Sequence, residues 1–115
     1  MSITIYGIPN CDTVKKARDW LMAHGVDYAF HDYKKHGADA GKLAEWAAQL
    51  GWEKLLNRAG TTYKKLPDSD KIDLDAAKAI GIMVANPSCI KRPVAEYDGG
   101  ILVGFTADPW EQALI

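Results

Sequence analysis

Residues 6–21 read YGIPNCDTVKKARDWL, and the rest of the chain is organised around them. Over residues 2–8, Ile3 and Ile5 alternate with Thr4 and Tyr6, which is the period of a strand. Pro9 ends that run. Asn10 or Asp12 can cap a helix beginning near Cys11, and Val14, Ala17 and Leu21 fall on one face of it. Gly25 follows His24 in the place of a C′ glycine. Cys11 therefore stands at the first turn of a helix. Unpaired backbone N–H groups and the helix dipole there lower a thiol's pKa and favour the nucleophilic thiolate. The competing reading is a small buried residue that happens to fall at a helix start. Val14 occupies the position where a CxxC motif keeps its second sulfur, so turnover would need an external thiol.

Past this stretch, Val26, Tyr28 and Phe30 alternate with polar positions as a second strand, completing a β-α-β unit whose strands should be parallel. From Asp39 to about Ala85 the pattern is helical. Leu43, Trp46, Ala47 and Leu50 form one stripe, and Leu55 and Leu56 a short second piece. A third helix runs from about Asp73, with Leu74, Ala77, Ile80 and Met83 inward. Gly51, Gly60 and the LPDSD segment at 66–70 are the breaks. The stretch RPVAEYDGGILVGF, residues 92–105, reads as two strands around Asp98-Gly99-Gly100. A last helix starts at Asp108-Pro109, cap then proline. The expected fold is α/β: a thioredoxin-like mixed four-stranded sheet with helices on both faces. A helical subdomain, approximately residues 39–86, is inserted between the β-α-β and β-β-α halves of a single domain over residues 1–115.

A chain of 115 residues can bury one real core. The net charge of −1 gives no reason to expect nucleic acid or an anionic membrane as partner. No signal peptide or transmembrane run is read, and Cys11 and Cys89 are too few for a disulfide scaffold, so a cytoplasmic monomer is expected. His24, His31 and His36 show no ligand spacing, and no metal site is expected. The four tryptophans read as core. Cys89, on the run into a strand, reads as a buried packing residue; its alternative role is a resolving thiol.

Two arginines remain. Arg58 closes the second helical piece, and taken alone it reads as a solvated charge. Arg92 directly precedes Pro93 and a strand, the place where a thioredoxin-like fold holds a cis proline beside its active thiol. An arginine there can stabilise the thiolate and grip an oxyanion or carboxylate with its planar fork.

The segments YGIPNCDTVKKA, LLNRAGTTYKKL and NPSCIKRPVAEYDGGILVGF resemble, in order and spacing, the arsenate reductase (ArsC) family, and most of all its YffB-like branch of glutathione-dependent thiol reductases. The resemblance implies that Cys11 is the catalytic nucleophile, forming a mixed disulfide. It places Asn10, Arg58, Arg92 and the cis proline Pro93 at the substrate or glutathione site. It implies no bound cofactor, with glutathione as reductant or co-substrate and glutaredoxin as a further partner. One departure stands out. Arsenate reductases of this type carry a third arginine after the last strand, and in ILVGFTADP Gly104 is about where it would be. Two arginines suit a glutathione carboxylate better than a trianionic arsenate. The VGF ending also resembles Spx, whose members bind RNA polymerase, so the alternatives are a regulator of that kind or a weak arsenate reductase.

Overall fold

The computed structural model describes residues 2–115. Strand β1 (Thr4–Gly7) leads through helix α1 (Asp12–Ala23) to strand β2 (Ala29–Asp32), which pairs with β1 in parallel. A hairpin of β3 (Val94–Tyr97) and β4 (Gly100–Val103) adds to the other side of β1, antiparallel, and helix α8 (Ala107–Leu114) ends the chain. The sheet order is β2-β1-β3-β4, the mixed four-stranded sheet of the thioredoxin-like class.

Between the halves lie α2 (Tyr33–His36), α3 (Ala40–Leu50), α4 (Trp52–Leu55), α5 (Thr61–Lys65), α6 (Asp68–Lys71) and α7 (Ala76–Ala85), then a 3-10 turn at Pro87–Cys89. The chain divides into two units. One is the sheet unit, formed by the segment ending at His36 together with Arg92–Ile115; the other is a helical unit, Gly37–Lys91.

In the sheet unit the strand period puts Ile3 and Ile5 on one face, where they join Ala95, Ala17 and Leu21 of α1, and Trp110 and Leu114 of α8 in one buried cluster. The two long helices of this unit thus share a single core. Tyr6 points the other way. It is paired in register with His31 and Val94, and its hydroxyl donates to Glu96 Oε1 at 3.2 Å. In the helical unit, α3 packs on α4 and α7, and Leu43, Trp46, Leu55, Ala79 and Met83 are buried.

Several local expectations need correction. Neither Asn10 nor Asp12 caps α1: the N-cap is Cys11 itself, in extended backbone, with Asp12 as the first helical residue. β2 begins at Ala29 rather than Val26, because the Val26 N–H donates to Leu21 O at 2.9 Å and so finishes the end of α1. Ladder pairing starts only where the Ala29 N–H reaches Ile3 O. In α7 the inward residues are Ala79, Ile82 and Met83, while Ala77 is exposed. The helix begins at Ala76 rather than near Asp73, capped by Asp75, which accepts from the Lys78 N–H, and the nearly unbroken apolar run from Ala79 to Val84 carries no phase of its own. The LPDSD stretch holds a single helical turn, α6. Helix α8 is entered from Thr106, so Asp108 and Pro109 lie inside its first turn, where a missing N–H leaves no helical bond unmade. No helix among the described residues is long and apolar enough to cross a membrane.

Candidate functional site

The position of the thiol is set by a close approach. A Cβ on Gly7, the last residue of β1, would stand 2.8 Å from Cγ2 of Val14, which is fully buried. Only glycine lets the first turn of α1 seat on the strand end this closely. That contact draws the chain round so that half-buried Cys11 becomes the N-cap, its carbonyl accepting from the Lys15 N–H at 2.9 Å. Val14 is thereby committed to packing at the position a second sulfur would take.

The Cys11 side chain makes no capping hydrogen bond. As a thiolate it is well placed. Partial burial alone pushes the thiol pKa up, but the Val14 N–H, the charge of Arg92, the Thr13 N–H and a hydrogen bond from the Arg92 side chain act together against it. The balance holds Cys11 below the ordinary thiol value.

Arg92 reaches the thiol through the topology of the sheet. β3 runs antiparallel to β1 with Val94 opposite Tyr6, so the start of β3 lies at the carboxyl end of β1. Arg92 precedes Val94 by two residues, and Cys11 follows Gly7 by four. The Arg92–Pro93 peptide bond is cis, Pro93 is fully buried, and its carbonyl accepts from the Gly104 N–H at 2.8 Å. Gly104 has φ +76°, a backbone state that disfavours any side-chain-bearing residue, and its carbonyl accepts from Trp110 Nε1 at 3.0 Å.

The sheet unit therefore brings together Cys11, Arg92 and Pro93, with exposed Asn10 in the turn just before the thiol. Arg58 and Cys89 belong to the helical unit. There the Asn57 N–H donates to Cys89 O at 2.7 Å beside the bridge between Leu56 and Ile90. Arg58 is exposed, with its guanidinium 5.7 Å from the centre of the Trp52 ring. Cys89 is only 1% exposed, closing the 3-10 turn. Among the described residues no cluster of three or more His, Cys, Asp or Glu side chains could hold a metal.

One residue escapes the sequence reading. Tyr33 follows Asp32, which sits opposite Gly7 at the carboxyl end of β2, the same end of the sheet that carries Cys11 and Arg92. It is 4% exposed, and its hydroxyl has no hydrogen-bond partner among the described residues. Burial pushes this hydroxyl above the usual tyrosine range, the nearby Tyr6 adds to the rise, and the charge of Arg92 opposes it. The alternation of Val26, Tyr28 and Phe30 gave no reason to single Tyr33 out.

A profile of the ArsC family matches residues 6–113. The chain is similar to an uncharacterized protein of Haemophilus influenzae, 41% identical over 111 residues, covering 96% of this chain and 97% of that one. It is also similar to the global transcriptional regulator Spx of Streptococcus pyogenes, 27% identical over 108 residues, or 92% of this chain and 80% of the relative. Among solved structures it resembles a protein named YFFB, with TM-score 0.97 and 54% identity over 99% of this chain and all of that one. An arsenate reductase (ArsC) related protein from Brucella melitensis is 56% identical with TM-score 0.77, covering 98% and 94% of the two chains. With its motifs in order and the match running nearly end to end, the chain belongs to the ArsC family.

Proposed function

We propose that this protein is a glutathione-dependent thiol oxidoreductase of the ArsC type, working as a cytoplasmic monomer with Cys11 as its single nucleophile. The observation that carries the reading is the Cys11 sulfur at the start of α1 with the Arg92 guanidinium against it. The Cys11 thiolate attacks one sulfur of a disulfide, and the other sulfur leaves with the bonding electron pair as a thiolate. The Cys11 mixed disulfide that results is opened by glutathione thiolate, and a second glutathione releases Cys11 as oxidised glutathione forms. In sum, one disulfide and two glutathione thiols give two thiols and one glutathione disulfide. Arg92 and Arg58 bind the negative groups of the ligand, Asn10 and Pro93 line its path, and Cys89 takes no part.

Similarity to proteins described as arsenate reductase-related supports the reaction class, and Gly104 argues against arsenate as the preferred substrate. The test is a side-by-side assay of arsenate reduction and glutathione-dependent disulfide reduction in wild type, Arg58→Ala and Arg92→Lys. Disulfide reduction should dominate and fall about tenfold or more in each variant, as loss of a charge-assisted arginine contact implies. Dominant arsenate turnover, or variants with unchanged glutathione kinetics, would overturn the assignment. The likeness to Spx over 108 residues favours one other reading, a transcriptional regulator, and a pull-down with RNA polymerase separates it from the enzyme.

A further inference from the structure

A buried phenol with no partner calls for a functional reason, because a phenylalanine would fill the same space without stranding a hydroxyl. Tyr33 is such a residue. Its ring packs among Tyr6, with centroids 6.3 Å apart, and His31, edge-on at 5.5 Å. Its hydroxyl lies within the field of Arg92 and makes no hydrogen bond among the described residues. The charge of Arg92 acts on both the Cys11 sulfur and the Tyr33 hydroxyl, and Tyr33 stands at the carboxyl end of β2, at the same end of the sheet as both.

The geometry points to Tyr33 as a ligand-binding residue: its hydroxyl donates a hydrogen bond to an anionic oxygen of the molecule that Arg92 holds. Resting on the function proposed above, this explains how one arginine serves two anions in turn. Before reaction the negative partner of Arg92 is the Cys11 thiolate. As the new S–S bond forms, the charge leaves that sulfur, and already in the transition state the guanidinium turns to an anionic oxygen of the incoming group. Tyr33, held protonated by its burial, supplies a neutral donor beside it without cancelling the arginine's charge. The anionic oxygen could belong to a carboxylate of the thiol substrate or to a free oxyanion, and the same hydrogen bond would serve either.

The experiment compares wild type with Tyr33→Phe in four measurements: thermal unfolding, the pH profile of Cys11 alkylation, the rate of mixed-disulfide formation, and inhibition of that reaction by inorganic sulfate. Oxidised glutathione and the uncharged bis(2-hydroxyethyl) disulfide are used as the two reactants. The variant should unfold at the same or a higher temperature, since an unpaired buried hydroxyl is removed, and its alkylation profile should not move. It should react with the uncharged disulfide at the wild-type rate. A carboxylate ligand shows as an approximately tenfold slower reaction with oxidised glutathione, and a free oxyanion as a similar loss of sulfate inhibition. Unchanged glutathione rates and unchanged sulfate inhibition overturn the proposal, as does equal slowing with both disulfides. If wild type itself forms no adduct with oxidised glutathione, the proposed function fails as well, and that failure is visible before any variant is made.

Discussion

Replacing Gly104 with arginine sets two terms of known sign against each other. At φ +76° a side-chain-bearing residue costs about 1–2 kcal/mol relative to glycine. No steric term adds to this, because a Cβ built there meets nothing within 4 Å. The backbone is held on both sides, the N–H by Pro93 O at 2.8 Å and the carbonyl by Trp110 Nε1 at 3.0 Å, so the residue cannot relax without stranding a buried indole N–H. In a domain of this size the expected loss is roughly 3–12 °C in the unfolding midpoint. The gain is an arginine rooted beside Pro93, next to Arg92, and a charge-assisted contact to an oxyanion contributes ~1.5–3 kcal/mol. Gly104→Arg should therefore unfold earlier yet reduce arsenate at least tenfold faster than wild type. Thermal unfolding and a coupled arsenate assay on the same preparation read both terms. An unchanged midpoint would refute the need for glycine at this φ. A lower midpoint without any gain in arsenate reduction would show that residue 104 does not face the anion site.

Other outcomes follow from the same geometry. Gly7→Ala forces its Cβ against the stiff Val14 side chain, so stability should fall by about 1–3 kcal/mol in urea unfolding and Cys11 alkylation should slow as the start of α1 shifts. Arg92→Ala removes a charge and a hydrogen bond from the thiolate. The iodoacetamide profile of Cys11 should move to higher pH, with Arg92→Lys intermediate because it keeps charge without the fork. The lowered pKa also links to stability. The thiolate's contribution is fully present above the unfolded-state thiol pKa of about 8.5 and is lost as pH falls through the lower folded value, so the stability advantage of wild type over Cys11→Ser should shrink on acidification through that window. Cys89→Ser should leave turnover within about twofold of wild type while costing about 1–2 kcal/mol of stability, since it buries a hydroxyl where a thiol packed.

The parallel β1-α1-β2 unit was legible because each element ends in punctuation: Pro9 after the first strand and Gly25, at φ +68°, after the helix. The hairpin at Asp98-Gly99-Gly100 was legible for the same reason. Phase within the helices was harder to read. In α7 nearly every position from Ala79 to Val84 is apolar, so the burial pattern follows from how the helix packs on α3 and α4 and not from periodicity. The Cys11 neighbourhood could be read from local chemistry alone, a thiol at a helix start and an arginine before a proline. The backbone seating that places the thiol there depends on Gly7 meeting Val14, a contact between elements with no local signature. Tyr33 was invisible for a related reason. Nothing in its own segment marks it, and its significance comes from lying at the carboxyl end of β2 beside residues from β1 and from the start of β3.

The central claim is that Cys11 is an activated nucleophile captured by glutathione. Intact-mass measurement after incubation with oxidised glutathione at neutral pH, on wild type, Cys11→Ser and Cys89→Ser, tests it most directly. One glutathionyl adduct per chain is expected in wild type and Cys89→Ser, and none in Cys11→Ser. An adduct that survives Cys11→Ser, or a wild-type chain that stays unmodified, would contradict the claim.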